Sequence, residues 1–318
     1  MRFPDLDLFS RITLFAGLAL LPLLILDRLT AAGRAWRWPI FGLDHGPLLV
    51  GALLAALLLA LCAQVLNWRK ADETYLTKRR LILLGLIGLV TVLLIWVMAR
   101  GWVLAGLAGV AIMSLSMRTR PPALRAGLFA YVVAIAAFAL VILPASSLYS
   151  LILSAPATVP ATDTGFGPIL GESSCQPFRD GVDSAAMRWV MYREAVAMFM
   201  NNPVWGVGAA RFGDCSCTGA GWYPHSTILQ GFAELGLVGG GLLLGLFMLA
   251  AVTLARPLVY ARQGESQPTH AFVFGLFVLF LVADQFYGTY FMAAGTWLML
   301  GIAASQRTHA GKEEARHG

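Results

Sequence analysis

Apolar residues along this chain come in blocks too long for a soluble fold. Windows of about 20 residues, the length of helix that crosses a bilayer core, pick out about eight segments. They are 12–29, 46–66, 80–99, 101–117, 124–151, 227–255, 270–287 and 289–305. Runs such as "ALLAALLLAL" carry no polar position on any helical face, as expected of a helix buried all round or set in lipid. The pattern predicts an all-α, polytopic helical membrane protein. One polar stretch interrupts it, so the chain divides into a five-span region 1–153, a long loop 154–224, and three spans with a charged tail over 225–318.

Inside the loop, "DSAAMRWVMYREAVAMFMNN" predicts a helix over 184–201. Asp183 or Ser184 supplies an N-cap. Met187, Val190, Met191 and Met198 recur at helical spacing, and Pro203 cannot continue the ladder. A short amphipathic helix with Met and Trp beside lipid is expected to lie at the membrane interface.

Charge settles the orientation. Only 13% of residues are charged, against about 25% in soluble domains, and the mean hydropathy is +0.72. The net charge of +6 could suggest nucleic acid, but the basic residues cluster between spans. Arg69, Lys70, Lys78, Arg79 and Arg80 form one group; Arg118, Arg120 and Arg125 a second; Arg256 and Arg262 a third; Arg307, Lys312 and Arg316 a fourth. With a cytoplasmic N-terminus every group falls inside, as the positive-inside rule requires. Both termini are then cytoplasmic and the long loop is external. No nucleic-acid partner is expected, only membrane lipids. Asp5 and Asp7 suit a signal peptide poorly, so the first span is expected to stay uncleaved.

The loop motif "MRWVMYREAVAMFMNNPVWGVGAARF", followed by "PHSTILQGFAELGLVGG", resembles the O-antigen ligase and O-antigen polymerase family of bacterial envelope glycosyltransferases. Arg188, Tyr192, Ala195, Asn202, Pro203, Gly206, Gly208 and Phe212 carry the first part of the resemblance. His225, Leu229, Gln230, Glu234, Leu235, Gly236 and Gly239 carry the second, within a core over 145–250. Ser226 stands where the family usually has Asn, and Tyr192 where it usually has Trp. Members usually have more spans, so a shortened N-terminal half is expected.

The resemblance implies transfer of a glycan from undecaprenyl pyrophosphate to a hydroxyl of lipid A-core, a glycan or a protein, with no cofactor or metal. Ligase and polymerase share this donor and loop. His225 fits as the base, because a neutral imidazole is poised to take a proton near neutral pH; an interfacial helix cap is the alternative. Arg188, Arg211, Arg179 and Arg193 fit the leaving pyrophosphate, which guanidinium binds in bidentate fashion; headgroup contacts are the alternative. Tyr192, Gln230 and Glu234 complete the expected substrate-binding set. On a continuous helix Glu234 lies half a turn round from His225, so packing or tuning is expected of it rather than orienting the histidine. Gly236, Gly239, Gly241 and Gly245 are expected to let helices approach closely.

Cysteines add one ambiguity. Cys175, Cys215, Cys217 and His225 have the chemistry of a zinc set, but an oxidising compartment favours a disulfide from Cys175 to Cys215 or Cys217. Cys62 reads as an apolar filler. Two other classes remain open: a transporter with Glu234 and Asp284 along its path, and an inactive scaffold of an envelope-glycan assembly complex.

Overall fold

The computed structural model describes residues 3–30, 38–40, 43–45, 47–66, 73–96, 100–116, 127, 130–133, 184–216, 223–260, 267–290 and 293–317. The elements among them are α1 (Phe3–Thr30), β1 (Trp38–Ile40), β2 (Leu43–His45), α2 (Pro47–Leu66), α3 (Glu73–Trp96) and α4 (Arg100–Ser116). After the loop come α5 (Ser184–Asn201), α6 (Phe212–Cys215), α7 (Thr227–Tyr260), α8 (Gln267–Ala283) and α9 (Ala294–His317). The two short strands pair antiparallel, with Pro39 opposite Asp44; this hairpin is an addition to the all-α expectation.

Seven of the expected apolar segments coincide with a helix. The fifth, 124–151, lies largely outside the described residues. Among the described residues only α7 is by itself long and apolar enough to cross a membrane; the apolar stretches of α1 to α4 and of α8 are shorter. Two boundaries need correction. The seventh segment ends at Ala283 rather than 287, and the eighth begins at Ala294 rather than 289. Residues 284–290 are turns. The Gly288 N–H bonds to the Asp284 carbonyl at 3.2 Å, and a Cβ on Gly288 would meet Asp284 at 2.7 Å.

The chain forms two compact units. The first comprises 1–136, 250–283 and 295–318. Its core is aliphatic, with Leu54, Leu57, Leu58, Leu59 and Leu61 of α2 almost wholly buried beside Leu94, Met113, Phe272 and Phe277. Small residues set the closest approach. A Cβ on Gly109 of α4 would meet the Gly275 carbonyl of α8 at 2.9 Å, and one on Gly275 would meet the Gly109 carbonyl at 3.1 Å. Such contact, which only glycine permits, is how membrane helices gain dispersion energy without a hydrophobic drive.

The second unit comprises 137–249 and 284–294. It holds α5, α6, the first part of α7 and the turns after α8. The predicted loop helix is present with the bounds expected of it, and its termination at Asn202-Pro203 follows from the missing proline N–H. Its apolar stripe, however, turns inward. Met191, Ala195 and Met198 pack with Phe212, Cys215 and Ala233 in one buried cluster. The outer face carries Trp189, Val196 and Met200, all exposed.

Candidate active site

The site is built around a broken helix. Gly236 in α7 has φ 66 and ψ −163, a conformation open essentially to glycine alone, inside an otherwise helical run. In an unbroken helix the Leu237 and Val238 N–H groups would bond to the carbonyls of Ala233 and Glu234. Here the Leu237 and Val238 N–H groups donate to Pro203 and Val204 O, at 2.7 and 3.3 Å. The freed Ala233 and Glu234 carbonyls accept from Val207 and Gly208 N–H, at 3.0 and 2.9 Å. The turn after α5 therefore slots into the break and exchanges hydrogen bonds with it, leaving these backbone groups satisfied. Glycine is required on both sides. A Cβ on Gly206 (φ +69) would meet the Glu234 carbonyl at 2.4 Å, and one on Gly236 would meet the Val204 carbonyl at 2.3 Å.

Glu234 locks the same junction. Its side chain is buried at 1% exposure and accepts from the Ala210 N–H at 2.7 Å, the Phe212 N–H at 3.1 Å and Gln230 Nε2 at 3.2 Å. The Tyr290 hydroxyl donates to it as well. A buried carboxylate is costly unless its oxygens are filled with donors, and here both are. Gln230, expected beside substrate, is likewise buried and spends its amide N–H on this carboxylate.

His225 lies outside the helix. Its φ of 53 puts it in the left-handed region, sparsely populated by non-glycine residues and somewhat tolerant of histidine. Ser226 then caps α7, its Oγ accepting from the Leu229 N–H at 3.3 Å. Ser and Asn are among the best N-caps, so the departure from the family's usual Asn keeps the local physics. Ser226 also donates to Gln285 Oε1 at 2.9 Å. Replacement by Ala should thus lower stability by about 1 kcal/mol or more, and replacement by Asn by clearly less. Thermal unfolding in detergent measures both; equal losses would contradict the capping role.

The turns at 284–290 close over this helix start. The Asp284 carbonyl accepts from the Thr227 N–H at 3.1 Å and its hydroxyl at 3.2 Å. Gln285 Oε1 also accepts from the Ile228 N–H at 3.4 Å, and the Gln285 carbonyl from the Tyr192 hydroxyl at 2.9 Å. Asp284, expected within a span, serves here through its backbone.

Arg188 supplies the charge. Its guanidinium carbon lies 5.4 Å from the centroid of the Tyr287 ring. The Tyr223 and His225 rings are 4.4 Å apart and tilted by 55°. Burial pushes the Tyr192 and Tyr223 phenols up, against the pull of the Arg188 cation. Burial first, and that cation second, push His225 down to about 4, so the imidazole is neutral at pH 7. Its Nδ1 is buried without a hydrogen-bond partner among the described residues. The sequence thus brings His225, Arg188 and Tyr192 into one place. Arg211 is half-exposed and faces Asp214, Nε to Oδ2 at 3.7 Å. Arg193 stays on α5, partly buried.

Cys215 is a free thiol in the buried cluster with Met198 and Phe212, and burial pushes its pKa up. Arg179, Cys175 and Cys217 lie outside the described residues, and among the described ones no group of His, Cys, Asp and Glu could hold a metal. Gln285, Tyr287, Tyr290 and Tyr223 were missed by the sequence reading. For Gln285, Tyr287 and Tyr290 the signal was "ADQFYGTY", where Asp, Gln and Gly interrupt an apolar run.

No curated protein and no solved structure shows significant similarity to the chain. The O-antigen ligase family model matches residues 73–244, from the first residue of α3 through the broken part of α7. The match reaches well upstream of the loop motif and covers more than half of the chain. The chain belongs to the O-antigen ligase family.

Proposed function

We propose that the protein transfers a glycan from undecaprenyl pyrophosphate to an acceptor hydroxyl at the outer face of the bacterial inner membrane, with His225 as base and Arg188 at the pyrophosphate. The acceptor O–H attacks the anomeric carbon, the bond from that carbon to the pyrophosphate oxygen breaks, and the proton passes to the imidazole. The electron pair leaves on the phosphate oxygen, where a guanidinium stabilises it. One observation carries the reading: a neutral, largely buried imidazole with an uncommitted Nδ1 beside a cation. The outward location rests on the inside placement of the basic clusters. Arg211 and Arg193 are further candidate ligands for a long anionic donor, as is Arg179, which lies outside the described residues. The test is transfer by purified protein from a lipid-pyrophosphate-linked glycan to lipid A-core or to a second glycan. Product should form with the native chain and vanish with His225→Ala; a native chain that transfers to neither acceptor overturns the proposal.

The pH dependence has a definite sign. A base works only while unprotonated, so kcat/KM should fall as pH drops through about 4, rather than through the ordinary value near 6.5. Bound pyrophosphate offsets the Arg188 charge, so the acid limb of kcat should lie higher than that of kcat/KM. Profiles from about pH 3 to 8 measure both, and a kcat/KM limb at the ordinary value near 6.5 contradicts the assignment. Stability follows the same group. Because the folded pKa is below the unfolded one, the unfolded chain binds more protons between about 4 and 6.5. Stability is therefore lost as pH falls through that window.

A further inference from the structure

We infer that the turns over Asp284–Tyr290 are a third part of the active site, in which Tyr287 is a positioning residue that holds the Arg188 guanidinium against its ring. The inference rests on the transfer reading above. This segment lies beyond residue 244, where the family match ends, and yet it joins both halves of the site. Arg188 and Tyr192 are four residues apart, hence neighbours on one face of α5. Both reach the same short turn: the Tyr192 hydroxyl bonds to the Gln285 carbonyl, and Arg188 lies over the Tyr287 ring two residues on. The same Gln285 takes the Ser226 hydroxyl and the Ile228 N–H through its side chain, directly after His225. One turn therefore sets the distance between the cation on α5 and the imidazole ahead of α7.

The aromatic ring suits this task chemically. A long arginine loses much rotamer freedom when it grips a phosphate, and a ring face that already holds the guanidinium lowers that loss. The face attracts the cation without consuming its N–H donors, which leaves them able to bond to phosphate oxygens. An acidic partner would compete for those donors; a tyrosine ring does not.

The experiment replaces Tyr287 by Phe and by phenylalanines of increasing ring fluorination, which keep the shape and progressively weaken the ring's attraction for a cation. Tyr287→Phe keeps the ring face and is the reference against which the fluorinated series is read. Across the fluorinated series, kcat/KM for the lipid-pyrophosphate donor should fall by about 2- to 30-fold, the range of a cation–π contact. Inhibition by undecaprenyl pyrophosphate alone should weaken in parallel, while the elution profile and thermal midpoint stay constant. A flat series, or a Tyr287→Phe variant as impaired as the most fluorinated one, overturns the inference. His225→Ala run alongside separates the two claims: if it is inactive and the series is flat, only the role of Tyr287 falls. If it is active, the base assignment falls, and the series still reports on Arg188.

Discussion

Gly236→Ala should cost about 1–3 kcal/mol of stability and release the turn after α5 from its slot. The first contribution is conformational, since a residue with a Cβ loses about 1–3 kcal/mol at this positive φ with extended ψ. The second is steric. The new Cβ would sit 2.3 Å from the Val204 carbonyl oxygen and 2.5 Å from the Trp205 nitrogen, and backbone cannot move aside as a flexible side chain can. The chain's escape is to heal α7 into a continuous helix. That restores two intrahelical bonds and abandons the four that tie Pro203, Val204, Val207 and Gly208 to it, a net loss near 0.5–1.5 kcal/mol per unreplaced bond. Gly241→Ala and Gly245→Ala are the controls, because a Cβ on either meets nothing within 4 Å. Thermal unfolding in detergent, with proteolysis across 203–212, reads the outcome. A Gly236→Ala protein as stable and as resistant as Gly241→Ala would refute the exchange of bonds.

That control also shows where the sequence stops being informative. Four glycines, at 236, 239, 241 and 245, read alike as small residues for helix packing. The structure separates them: Gly236 breaks the helix, a Cβ on Gly239 would crowd Leu235 at 2.4 Å, and Gly241 and Gly245 face open space. No periodicity can reveal a break whose lost bonds are replaced by a segment some thirty residues upstream. Glu234 makes the same point. Counting the helical angle from His225 assumed a helix that begins there, but φ 53 at His225 and the cap at Ser226 start it two residues later. The conclusion that Glu234 does not orient the histidine agrees with its four donors, none of which is His225.

Local features were legible. The bounds of α5 agree with its three- and four-residue apolar spacing and with Pro203. The juxtaposition of Arg188, Tyr192 and His225 followed from the family motif rather than from the chemistry of any one residue. The turns at 284–290 were hidden for a physical reason. Phe286, Tyr287 and Tyr290 raise the apolar character of the run, while the Gln285 carbonyl and the Tyr290 hydroxyl bond across to α5 and α7. Hydropathy counts the rings and is blind to the tips.

His225→Ala and Arg188→Lys should each nearly abolish transfer, and the double variant should be scarcely worse than the more damaged single one. Removing a general base typically costs about 10²–10⁴ in rate. Lysine keeps the positive charge at 188 but loses the flat fork that meets two phosphate oxygens and lies over the Tyr287 ring. If proton removal and departure of the pyrophosphate occur in one transition state, losing either leaves little for the other to stabilise, so the free-energy losses will not add. Additive losses would place the two residues in separate steps, such as donor binding and chemistry. The fold should survive both changes, because neither side chain fills the cluster of Met191, Ala195, Met198, Phe212, Cys215 and Ala233 or bonds to Glu234. His225→Ala even relieves a desolvated imidazole. Near-native transfer by a well-inserted His225→Ala protein would reduce the histidine to a left-handed hinge ahead of the Ser226 cap, and the base would have to be sought elsewhere around Arg188.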